Sequence, residues 1–324
     1  MASQPVPDMS AVEGAAARLA AFVWHTPILQ SAWLSAHSRA DVWLKLEMVQ
    51  PTGSFKVRGA MNALILLQER EPATRTVVTA SAGNHGAAIA WAAAALGLHA
   101  RVHLPLTAPA AKRQSLLRLG AELVDAPDYD TAETQARDDA SKTGAAHISA
   151  YNHGDVIAGA ATVVLEMLHD RPELDTLILP LGGGGLLAGA ALVARSRDIK
   201  GDPPLVIGAE CEASPVFTAA LAADAIVTVD VKPTLADGLA GNMEPGSCTF
   251  AMVRDQVDRV AIVAESSIEV AMKGLIRHER LIVEGASATA VGALLQGGLD
   301  LAGRHVGIVL SGRNVDVEVL RRVI

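Results

Sequence analysis

A lysine, a serine–asparagine–histidine loop and a run of four glycines are the parts of this sequence best suited to chemistry. Lys56 follows Ser54 and Phe55 in Pro51-Thr52-Gly53-Ser54-Phe55-Lys56-Val57-Arg58-Gly59-Ala60. Ser54 reads as an N-cap and residues 55–70 as a helix, which puts Lys56 in the first turn. There the helix dipole opposes a cation and, with partial burial, lowers the amine's pKa toward the neutral form a nucleophile needs. Gly182, Gly183, Gly184 and Gly185 separate an apolar run from a helical one, where bare backbone N–H groups can wrap a phosphate. Ser81, Gly83, Asn84 and His85 open another helix, a turn suited to a carboxylate. Ser311 ends a third apolar run and, opposite a heterocyclic nitrogen, would offer a neutral hydrogen bond. Each has a plainer reading alone: a solvated lysine, a tight turn, an Asx turn, a strand cap. A phosphate cup together with a helix-start lysine favours catalysis.

The elements that must hold these residues recur as short apolar runs, glycine-bearing turns and Ala/Leu helices. Residues 77–79, 100–104, 122–124, 177–181, 205–209 and 306–310 read as strands, with another ending by Ser149. Continuous apolar strands alternating with helices indicate parallel sheets covered on both faces, with ligands at the strands' carboxyl ends. At 324 residues the chain has length for two domains, and half of it is hydrophobic, which excludes disorder. A net charge of -8 without a dense basic block excludes nucleic acid. The longest apolar run, residues 87–98, is too short for a membrane span, and residues 1–14 lack a secretion-signal layout. Two cysteines, Cys211 and Cys248, make no disulfide framework. A cytoplasmic protein is expected.

These pieces, in this order, resemble the type II fold of pyridoxal-phosphate enzymes, in the serine/threonine dehydratase and serine racemase branch, from about Thr26 to Asn314. The resemblance implies a two-domain α/β parallel-sheet fold with the cofactor between the domains. It implies that Lys56 holds pyridoxal 5'-phosphate as a Schiff base, with Phe55 beside the ring and Asn84 at its 3'-oxygen. Ser81, Gly83, Asn84 and His85 would receive the substrate carboxylate. Gly182, Gly183, Gly184, Gly185 and Leu186 would cradle the phosphate. Gly238 would line the pocket opposite the ring, Glu284 would lie near the pyridine, and Ser311 would partner its nitrogen. A serine there, unlike a carboxylate, does not keep the ring nitrogen protonated, which favours prompt loss of a β-substituent. Lys56 would take the α-proton, and Ser81 or water would supply protons late in the cycle. The implied reaction turns a β-hydroxy amino acid, L-threonine or L-serine by default, into a 2-oxo acid and ammonia. Alternatives are hydroxyaspartate, a phenylserine-type substrate, one from hydroxyectoine breakdown, or racemisation. A homodimer is implied as well.

Four positions depart from the branch's pattern. Ala82 stands where racemases carry a second serine. Glu210 and Ser214 match a divalent-cation site (magnesium or calcium), but Val216 replaces its aspartate, so no metal is assigned. Residues 159–162 read Gly-Ala-Ala-Thr instead of Gly-Gln-Gly-Thr, a packing change. Arg313 replaces a glycine and would either reach a substrate carboxylate or lie on the surface. The regulatory domain of biosynthetic threonine dehydratases is expected to be absent. The large domain is expected at 1–68 and 151–324, with a small mobile domain at 69–150. Residues 240–247 fall where the family shapes the side-chain pocket. Two other classes remain: a Rossmann oxidoreductase using Gly183, Gly185 and Ala188 with Glu210 or Glu212, and a non-catalytic ligand sensor.

Overall fold

The structure, a computed structural model, describes residues 6–196 and 202–324. Of the segment read for a secretion signal, residues 1–5 lie outside the described residues. The strands are β1 (Ile28–Gln30), β2 (Asp41–Lys45), β3 (Thr76–Ala80), β4 (His99–Pro105), β5 (Glu122–Ala126), β6 (Ala146–His147), β7 (Thr176–Pro180), β8 (Leu205–Cys211), β9 (Arg259–Val263) and β10 (His305–Val309). They form a six-stranded sheet, β1-β2-β10-β7-β8-β9, and a four-stranded sheet, β5-β4-β3-β6. Every pairing is parallel except β1 with β2. All five residues of β7 are buried, and β3 and β10 each leave only their first residue partly exposed. Helices therefore cover both faces, as continuous apolar strands require.

Topology decides which loops meet. β10 and β7 are parallel neighbours, with Val306 opposite Thr176, so the loops after both strands emerge side by side. Beyond β10, Leu310 N–H donates to Lys45 O and Phe55 N–H to Ser311 O, while Ser54 bridges Gly312. Ser311 is thereby tied to the segment that enters the helix Lys56–Arg70.

That helix packs closely on Gly154–Asp170 because both offer glycine at the crossing. A Cβ on Gly59 would lie 2.7 Å from Val156 O, and one on Gly159 would lie 2.5 Å from Arg58 O. The Gly-Ala-Ala-Thr departure thus keeps the glycine that the crossing needs, and Thr162 Oγ1 accepts from Arg58 Nη1 at 3.2 Å. Arg58 is buried and also donates to Glu47 and Glu166, with N–O distances of 2.7–2.8 Å. Buried Lys45 donates to Glu166 at 2.7 Å, so two cations face two carboxylates. Burial alone would lower the arginine's pKa, but the two glutamates hold it above its ordinary value.

Candidate active site

Lys56 opens its helix as expected, but the cap does not follow the sequence reading. Phe55 is the N-cap residue, with φ -59° and no side-chain cap bond. Ser54 Oγ is buried without a hydrogen-bond partner, because the bridge to Gly312 turns Ser54 away from the helix amides. The Lys56 amine is half-buried, lies 5.1 Å from the centre of the Phe55 ring, and donates to Ala150 O at 3.0 Å. Burial lowers its pKa from 10.5 to about 8, while the nearby Glu284 carboxylate pulls the other way. Near-neutral pH therefore leaves a usable fraction of free amine.

Glu284, Asn84 and Asn314 form one network. Glu284 precedes the helix Gly285–Leu295 and accepts from Asn84 Nδ2 at 2.7 Å and from Asn314 N–H at 3.0 Å. Asn314 Nδ2 donates to Asn84 Oδ1 at 2.6 Å and to Thr52 O at 2.8 Å. This leaves Asn84 one amide hydrogen for a bound group. Burial and the Asp237 charge raise the Glu284 pKa to about 7. Gly238 faces the same carboxylate: a Cβ there would lie 3.9 Å from Glu284 Oε1 and 3.2 Å from Ala286 Cβ. Because Glu284 stabilises protonated Lys56, Glu284→Gln should lower the lysine's pKa further. The pH at which the apoprotein begins to capture pyridoxal phosphate, followed by visible absorbance, should move down; an upward shift would contradict the pairing.

The glycine run leads from β7 into the helix Gly185–Ala194. Only Gly184 has a positive φ, +87°. The other three are required by close approach: a Cβ would lie 2.2 Å from the Tyr151 ring at Gly183, 3.0 Å from Leu239 at Gly182 and 3.1 Å from Tyr151 at Gly185. Gly182 and Gly183 remain partly exposed, so the loop presents backbone rather than side chains at a helix N-terminus. Leu186 lies buried in the first turn of that helix. Thr249 Oγ1 donates to Gly183 O at 2.8 Å and secures the turn.

The loop after β3 holds Ser81, whose Oγ accepts from Gly83 N–H at 3.2 Å. Open space lies beside Gly83. The His85 side chain turns away from this loop. Its ring is buried, Nε2 donates to Ile148 O at 3.1 Å, and burial lowers its pKa to about 3. The imidazole is neutral and turned into the small sheet, so His85 offers a carboxylate only its backbone.

Lys56, Asn84, Glu284 and Ser311 are thus brought together from distant segments. Glu210 is not part of this group; its carboxylate accepts from Phe217 N–H at 2.6 Å and Thr218 N–H at 3.0 Å, at the start of the helix Val216–Ala223. Glu212 accepts from Glu265 N–H at 2.8 Å. Glu210 is committed to the Phe217 and Thr218 amides, so it is not held out for a ribose hydroxyl as the dinucleotide reading would need. Arg313 is exposed and lines an outer cavity of about 290 Å³ with Arg118 and Asn314. Sequence reasoning missed Thr249, the Ala150 carbonyl and the Tyr151 wall. Tyr151 is one of only two tyrosines and directly follows a strand-end region, a signal that could have drawn notice.

The donor set fits pyridoxal phosphate. The Lys56 amine bonded to Ala150 O, a glycine loop at a helix N-terminus packed on Tyr151, and Gly238 beside Glu284 lie on adjoining segments. Residues 19–312 match the family described as pyridoxal-phosphate dependent enzyme. The chain is 38% identical to the L-threonine ammonia-lyase of Thermotoga maritima, over 93% of this chain and 74% of that one. It is 36% identical to the L-threo-3-hydroxyaspartate ammonia-lyase of Saccharomyces cerevisiae, over 97% and 95%. The solved structure of maize serine racemase superposes with a TM-score of 0.91 at 33% identity, covering 98% of this chain and 97% of that one.

Proposed function

The chain belongs to the pyridoxal-phosphate dependent enzymes, and from that premise we propose that it is an ammonia-lyase acting on a β-hydroxy amino acid. The observation that carries this reading is the Lys56 amine, its pKa lowered to about 8, on the same site as the glycine cup and the Asn84–Glu284 pair.

Pyridoxal phosphate, when bound, supplies a sink for the electron pair left by the departing α-proton. Lys56 would hold it, and the amides of Gly183, Gly184, Gly185 and Leu186 would bind its phosphate. Asn84 would fix the ring's orientation, with Ser311 at its nitrogen. Ser81 and the amides that follow it would hold the substrate carboxylate. The Lys56 amine, once free, would accept the α-proton, and loss of the β-hydroxyl would follow. Ala82 leaves no second hydroxyl on that loop to serve the opposite face, which favours elimination over racemisation.

The smaller sheet and its helices, about 69–150, are proposed to close on substrate. Lys112 on that side already reaches Asp237 on the other at 2.6 Å. A homodimer and a cytoplasmic location belong to the same proposal; no described helix is long and apolar enough to cross a membrane. Ammonia and 2-oxo acid release from a panel of β-hydroxy amino acids tests the reading. Turnover of at least one member is expected, and silence across the panel in a cofactor-loaded protein would sink it.

A further inference from the structure

Resting on the assignment of the glycine loop to the cofactor phosphate, we infer that Glu210 is a positioning residue for that loop, its carboxylate held by helix amides in place of a divalent cation. Glu210 lies near the end of β8. The preceding residue, Ala209, accepts at its carbonyl from Leu181 N–H at 2.8 Å, one residue before the glycine run begins. The buried Glu210 carboxylate accepts from Phe217 N–H at 2.6 Å, Thr218 N–H at 3.0 Å and Thr218 Oγ1 at 2.9 Å. Pro215, the N-cap residue of the helix Val216–Ala223, makes no side-chain cap bond, so Glu210 supplies that cap from another element.

The residues present do not fit a divalent cation at Glu210. Magnesium or calcium needs a shell of about six or more oxygen ligands. Here N–H and O–H donors engage both carboxylate oxygens and present positive partial charge to them. Val216 brings a buried apolar side chain where a second carboxylate would be needed. Among the described residues, no three His, Cys, Asp or Glu side chains gather in a possible metal site. Two amides and a hydroxyl thus offset the cost of burying this charge, the task a cation would otherwise perform.

The helix start fixed in this way props the phosphate loop. Phe217 is buried, and a Cβ on Gly184 would lie 2.6 Å from its ring carbon Cζ and 3.0 Å from Thr249 Cβ. Gly184 is the loop residue with the positive φ, so Phe217 and Thr249 back the one position whose backbone the turn depends on. Glu210 therefore acts on the loop at second hand: its carboxylate holds the Phe217 amide, and the Phe217 ring presses on Gly184. Loss of the carboxylate frees the helix start, lets the ring retreat and leaves the loop amides without a fixed aim. Affinity for a phosphate falls, while the aldehyde end of the cofactor is untouched.

The test uses the full chain with pyridoxal phosphate and with pyridoxal, which share the aldehyde and differ in the phosphate. The ratio of their affinities, followed by visible absorbance, reports on the loop. Glu210→Gln keeps one acceptor oxygen and should cut that ratio about tenfold, the effect of one charge-assisted hydrogen bond, with pyridoxal affinity unchanged. Phe217→Leu should cut it too, and the double variant should lose no more than the larger single loss, because both act through one contact. A ratio unchanged in both variants, or losses that simply multiply, would overturn the inference. Wild-type holoenzyme treated with a chelator and then given magnesium or calcium should keep its unfolding temperature within about 1 °C. A rise of several degrees would show that a cation, and not the helix, holds Glu210. Equal binding of both ligands by the wild type would remove the phosphate-loop assignment itself, whereas ammonia release with an unchanged ratio in both variants would overturn this inference alone.

Discussion

Lys56→Ala should abolish covalent capture of pyridoxal phosphate and cut turnover by about 10³-fold or more, the scale expected when a nucleophile that doubles as a base is lost. Borohydride reduction followed by peptide mass analysis should find the cofactor on Lys56 in the wild type and on no residue of the variant. The structure gives the reason for so large an effect. The amine is half-buried, donates to Ala150 O, and its pKa of about 8 provides free base near neutral pH. An exposed lysine near its ordinary 10.5 would hold very little. Retention of the reduced cofactor by the alanine variant would show that another amine does the work.

The largest stability loss should come from Arg58→Met. This change leaves Glu47 buried and Glu166 largely buried, with Lys45 as the cation that remains beside Glu166. Breaking a buried pair from one side costs about 3–5 kcal/mol, far more than removing a surface pair. Urea unfolding of the apoprotein would measure it. A loss under about 1 kcal/mol would mean that water reaches the carboxylates. Arg58 lies two residues from Lys56 on the same helix, so the variant should also weaken cofactor capture.

The two variants separate chemistry from scaffold. The alanine variant removes the reacting group and should leave the fold, since Lys56 makes one hydrogen bond to a carbonyl. The methionine variant keeps the reacting group and loosens the helix that aims it.

What the sequence determined by itself was local. A helix-start lysine, a glycine run between strand and helix, and apolar runs at strand length are signals written within about ten residues. Those readings located Lys56, the loop 182–185 and the loop 81–86, and the parallel sheets follow from the same periodicity. Even locally the reading failed where a distant segment intervened. Ser54 has a cap's residue type, yet its bridge to Gly312 takes it out of the helix.

Tertiary structure decided everything that depends on a partner far along the chain. Asn84 meets Glu284 across 200 positions, Arg58 meets Glu166 across 108, and Ser149 meets Glu244 across 95. The physical reason is that burial and electrostatics arise from what surrounds a group, and no pattern of neighbouring residues encodes those surroundings. The Lys56 pKa and the neutral His85 turned inward exist only once the sheets bring these segments together. A backbone carbonyl such as Ala150's leaves no trace in the sequence at all.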